Sequence, residues 1–95
     1  MLFMEISAKN KEKISEQILA HLYSINPRAV FTVQIARELA RDEEFIKQLL
    51  INLKKKGLVV EIGKNSKGIT YLKRKRWQLS DEAYNIYQMN QTNYN

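Results

Sequence analysis

The stretch IARELARDEEFIKQLLINLKKKGLV, residues 35–59, decides how this chain is read. Ile35, Ala36 and Leu39 open it at helical spacing, and Thr32, just upstream, is the expected N-cap of that helix. Asp42, after Ala40 and Arg41, is the expected cap of a second helix. Glu43 and Glu44 fill its first turn, where the positive end of the helix dipole favours acids. Ile46, Leu49, Leu50 and Leu53 then recur on one side as far as Lys56. Lys54, Lys55 and Lys56 occupy the last turn, and Gly57 supplies the stop. Two helices joined by a tight connection follow from this spacing.

Downstream of Gly57 the period changes to two. Leu58, Val60 and Ile62 alternate with Val59 and Glu61, and GKNSKG at 63–68 breaks the run. A second β-prone stretch, ITYLKRKRWQL, covers 69–79, so the pair reads as a hairpin with a polar, basic tip. Its register stays open: the tip is either 63–68 or a longer loop taking in 69–76. Ser80 caps a last helix with Asp81 and Glu82 in its first turn. Upstream, Ile14, Ile18, Leu22 and Ile25 mark a helix from about Ala8 to Ile25, and Asn26-Pro27 stops it. Ala29-Val30-Phe31 is a short extended piece.

Composition narrows the possibilities. Ninety-five residues allow one small domain, which buries only about two-thirds of its unfolded surface. Apolar residues are 44% and charged ones 27%, a folded composition. There is no cysteine and one histidine, His21, so neither disulfides nor a zinc centre are expected. No apolar run approaches the ~18 residues of a membrane span, and the lysines of MLFMEISAKNKEK follow a very short apolar stretch, the reverse of a signal peptide. A cytoplasmic protein without cofactor is expected. The net charge of +6 is unevenly spread: residues 57–79 hold six basic side chains against Glu61 alone, whereas 80–95 hold only acids. One basic face and an anionic partner follow.

The order helix, short strand, helix, helix, hairpin, helix resembles a winged helix-turn-helix domain, an α+β, mainly α fold. The likeness lies in the apolar-Ala pair, the Leu, the turn, the next helix and then Leu-x-x-x-Gly-Leu-Val at 53–59. KRKRWQLSDEAY at 73–84 is similar to the end of the wing in the PadR and MarR families, where a basic stretch and an aromatic lead through Leu-Ser/Thr into a helix. The resemblance covers about 30–84. It departs at Arg41, where an apolar residue commonly closes the turn, at Ala83, in place of a common glycine, and at Glu43 and Glu44, where small polar residues are usual.

That resemblance implies a sequence-specific, double-stranded DNA-binding protein, a dimeric transcriptional regulator. The outer side of the third helix carries Glu44, Lys47, Gln48, Ile51 and Lys55 toward the major groove. Gln48 suits adenine, Lys47 guanine or a phosphate, Glu44 cytosine, and Ile51 a thymine methyl. Lys64, Lys67, Lys73, Arg74, Lys75 and Arg76 of the wing are expected on phosphates or in the minor groove, while Trp77 and Leu79 anchor the wing's base. A homodimer is expected through the last helix, residues 80–91, using Ala83, Tyr84, Ile86 and Tyr87. Leu19, Leu22 and Tyr23 of the first helix support it, with Leu2, Phe3, Met4 and Ile6 over the seam, and 92–95 form a disordered tail. Two alternatives use the same fold: a plasmid-partition or DNA-organising protein, and a protein-interaction winged helix suited to Glu43 and Glu44. No nucleophile has an activating partner set and no glycine loop cradles phosphate, so catalysis is not expected.

Overall fold

The computed structural model describes residues 8–63 and 75–93. The elements are α1 (Ala8–Ile25), β1 (Val30–Phe31), α2 (Thr32–Leu39), α3 (Glu43–Lys55), β2 (Val59–Ile62), β3 (Arg76–Leu79) and α4 (Asp81–Asn93). The order expected from the sequence is the order observed. The calls on residues 64–74 and on Leu2, Phe3, Met4 and Ile6 lie outside the described residues.

Local chemistry explains the helix boundaries. The Asp42 carboxylate accepts from the Phe45 N–H at 3.0 Å, satisfying one of the donors left over at the start of α3. At the other end, the N–H of Gly57 donates to Lys54 O and that of Leu58 to Leu53 O, both at 3.0 Å. This paired closure needs a left-handed residue, and Gly57 has φ of +78°. The same closure ends α2, where Ala40 and Arg41 donate to Arg37 O and Ala36 O. There the left-handed residue is Ala40, at φ 55°, in a place glycine would hold with less strain. Ser80 Oγ accepts from Ala83 N at 3.1 Å, the expected cap of α4.

Thr32 is not the cap of α2. The helix begins at Thr32 itself with Phe31 as its cap residue, and the Phe31 N–H donates to Gln34 Oε1 at 2.8 Å. The Thr32 hydroxyl is engaged elsewhere, accepting from the Trp77 indole N–H at 2.8 Å. A tertiary donor has taken the oxygen that local sequence assigned to capping.

β1, β3 and β2 form one antiparallel sheet in that order. Trp77 stands opposite Val30 on one side and Glu61 on the other; Leu79 faces Val59. The core is the inner stripe of three helices laid on this sheet. Ile14, Ile18, Leu19 and Leu22 come from α1, Ile35 and Ala36 from α2, Ile46, Leu49, Leu50 and Leu53 from α3. Val30, Val59, Trp77, Leu79 and Ala83 complete it. Of the two alternating sets in β2, Val59 is the buried one and Val60 is exposed. Ala83, 2% exposed, occupies its place early in α4 as a core residue.

Candidate nucleic-acid interface

The core stripe of α3 leaves its opposite side to solvent. Glu44, Lys47, Gln48 and Lys55 are all exposed there. Gln48 Nε2 donates to Glu44 Oε2 at 3.3 Å, one helical turn away, so this pair is a connected polar surface. Ile51 differs from the expectation. It is half-buried, packs against the core and lines the space between α3 and the wing.

Between α3 and the wing lies a cleft of about 550 Å³. Lys47, Ile51 and Lys54 line it from α3, Glu61 and Lys75 from the wing, and Phe31 and Trp77 from the sheet. Two lysines meet one carboxylate here: Lys54 Nζ lies 2.6 Å from Glu61 Oε1, and Lys75 Nζ lies 3.0 Å from Glu61 Oε2. The hydrogen bond from Lys54 holds the Glu61 carboxyl below its ordinary value of 4.5; burial opposes this and Lys75 adds to it. The folded-state value lies below the unfolded one. The ion pairs therefore stabilise the fold above about pH 4.5 and fade as pH falls through the folded value.

Lys75 thus reaches the cleft. The Arg76 guanidinium instead lies over the Phe31 ring, 5.4 Å from its centroid, so it belongs to the β1 side of the sheet. Lys64, Lys67, Lys73 and Arg74 lie outside the described residues. Lys54 and Glu61 were not among the expected site residues. The signal was present in the alternation of β2: Glu61 shares the side of Val59, and that side faces α3.

The surface expected for a second copy is largely consumed within the protomer. Leu19, Leu22 and Ala83 are buried in the core, with Leu22 at 0% exposure. Tyr23 of α1 stacks on Tyr87 of α4 at 5.3 Å between ring centroids and lies 5.4 Å from Tyr84. Its hydroxyl donates to Gln88 Oε1. Burial, with a smaller contribution from Glu16, raises the Tyr87 hydroxyl pKa above its ordinary value. These aromatics close α4 onto α1, because a two-helix seam near the chain end offers them more burial than solvent does. On α4, Ile86 and Met89 remain outside, at 51% and 64% exposure. His21 is half-buried on α1. Among the described residues, no group of three His, Cys, Asp or Glu is placed to hold a metal ion, and no helix is long and apolar enough to cross a membrane.

No protein-family model and no curated protein matches the sequence. Solved structures do match the fold. A DNA complex of S. aureus MepR superposes with a TM-score of 0.67 at 20% identity, over 90% of this chain and 70% of that one. A MepR variant from a multidrug-resistant S. aureus clinical isolate gives 0.65 at 22% identity, over 81% and 53%. Lactococcus lactis ZitR gives 0.59 at 12% identity, over 97% and 55%. The chain therefore spans only about half the length of two of these three proteins. Among the described residues, four helices and a three-stranded antiparallel sheet in this order, alike in shape to MepR, make this a winged helix-turn-helix fold.

Proposed function

We propose that the chain binds double-stranded DNA sequence-specifically and acts as a transcriptional regulator, with α3 in the major groove and the wing on the flanking backbone. One observation carries the reading: the exposed polar side of α3 adjoins a lysine-lined cleft, so base-reading groups and phosphate-binding groups lie together. The structural likeness to MepR captured on DNA supports it, as does the pattern similarity of the wing's end to PadR- and MarR-like small regulators. Gln48 and Lys47 are the base readers, with Glu44 holding the Gln48 amide until the groove is engaged. Ile51, half-buried, has less reach toward a base than Gln48. The wing residues Lys64, Lys67, Lys73, Arg74 and Lys75 are the backbone contacts.

Selection of bound duplexes from fragments of the source genome tests this. Enrichment of a site near the protein's own gene supports a regulator. Clustered repeats support a partition role instead, and no enrichment rejects sequence-specific binding. On the selected site, Gln48→Ala is expected to cost about 1–3 kcal/mol at one base position and to leave affinity for unrelated duplex unchanged. A uniform loss on every sequence would mean that α3 stands away from the base edges.

The working unit in this reading is a homodimer. One winged helix reads few base pairs, and a two-fold pair on a palindrome doubles the readout, with recognition helices about 34–36 Å apart. Among the described side chains of α4, Ile86 and Met89 are the large apolar ones left to meet a partner copy. The double variant Ile86→Glu, Met89→Glu is expected to sediment as a monomer and to keep the wild-type far-UV circular dichroism spectrum, since both side chains are exposed on the protomer. Glutamate at Tyr84 or Tyr87 would not serve, because those rings hold α4 to α1. A wild-type monomer at tens of micromolar would reject the dimer.

A further inference from the structure

Glu61 is the single acid of residues 57–79, and it sits between two lysines rather than at the wing's edge. Its side chain is 17% exposed, whereas those of Lys54 and Lys75 are 52% and 57% exposed. The carboxylate is therefore inside and the ammonium groups are at the rim. Each ammonium carries three N–H donors, and Glu61 takes one from each. The remaining donors belong to side chains that are 52% and 57% exposed, so an arriving anion can reach them. Ion pairs made by half-exposed lysines are weak and easily shared, so a second anion can enter without first breaking the fold.

Resting on the DNA-binding reading, we propose that the α3–wing cleft seats one phosphodiester group of the duplex backbone on Lys54 and Lys75, and that Glu61 is a built-in counter-ion that lowers its affinity. The Glu61 carboxylate gathers the two ammonium groups from different elements, one from the last turn of α3 and one from just before β3. It also cancels one of their two charges. The seat presents a net +1, not +2, to the phosphate. Glu43, which also lines the cleft, adds a second acid against Lys47. Binding strength is thereby set below what the lysines alone would give, which favours base contacts over indiscriminate backbone attachment.

The test is a salt titration of the full chain on a 20-base-pair duplex of unselected sequence. Each phosphate neutralised contributes about −0.9 to the slope of log K against log salt. Glu61→Gln, close in shape and uncharged, frees the second ammonium group for a neighbouring phosphate and is expected to steepen the slope by about 0.9 per bound protomer, roughly eightfold tighter binding at 0.1 M salt. Lys54→Gln is expected to flatten it by the same amount, and the double variant Lys54→Gln, Glu61→Gln to return to the wild-type slope. Lys75→Gln repeats the second arm if Lys54→Gln fails to fold. Inorganic phosphate at millimolar concentration, at constant ionic strength, is expected to leave duplex binding unchanged; competition there would make the cleft a free-anion site. An unchanged slope, or weaker binding, in Glu61→Gln overturns the seat while leaving DNA binding intact. A wild-type chain that binds no duplex overturns both.

Discussion

Trp77→Ala is expected to bring the chain to the edge of unfolding at 25 °C. Trp77 is the middle residue of the sheet in the fullest sense: Val30 and Glu61 flank it in register, and it is 4% exposed. Truncating a buried tryptophan costs about 3–5 kcal/mol through lost transfer energy and the cavity left behind. The substitution also strips the Thr32 hydroxyl of its indole donor at the start of α2. A small domain has a total stability of about 5–15 kcal/mol, and one of this size sits at the low end. Urea titration followed by far-UV circular dichroism measures the loss. Trp77→Phe separates the two contributions, since it retains most of the ring but not the N–H, and should cost about 1–3 kcal/mol. An alanine variant with a wild-type midpoint would show that the sheet is not pinned at this residue.

The second large effect is on DNA affinity. Lys47, Lys54 and Lys75 line the α3–wing cleft, Lys55 is exposed in the last turn of α3, and Lys64, Lys67, Lys73 and Arg74 belong to the same stretch of sequence as Lys75. If five or six cations per protomer meet phosphates, a dimer neutralises about ten to twelve, for a slope of roughly −9 to −11. Fewer simultaneous contacts still give a slope steeper than about −5, which is about a thousandfold loss between 50 and 200 mM salt. Fluorescence anisotropy of a labelled duplex across that range measures it. Replacing Lys73 and Arg74 should weaken binding to all sequences alike and flatten the slope. Equal binding by that double variant removes the wing from the interface.

The helices were legible because their information is local. Periodicity of 3.6 places Ile14, Ile18 and Leu22, or Ile46, Leu49, Leu50 and Leu53, on one stripe whatever the rest of the chain does. Asp42, Gly57 and Ser80 act within a turn of themselves, so their roles in capping are readable from neighbours in sequence. The exposed side of α3 follows by subtraction, and with it Glu44, Lys47, Gln48 and Lys55.

What sequence spacing left open depended on partners distant in the chain. Alternation in β2 offered two faces, and the pairing of Val59 with Leu79 and of Glu61 with Trp77 chose between them. That choice turned Glu61 toward Lys54 and Lys75 and made a cleft of what read as a run of basic residues. Thr32 carried a capping signal but answered to Trp77, because a buried indole N–H without an acceptor is costlier than a helix start capped by other means. The tyrosines of α1 and α4 likewise had two equally apolar uses, a partner copy or each other. Within the protomer they meet each other, since Tyr23 reaches Tyr84 and Tyr87 once the sheet has brought the two helices side by side. The sequence alone determined the elements, their order and the polar side of α3; tertiary packing decided which side of each strand faces the core and which aromatics the protomer keeps.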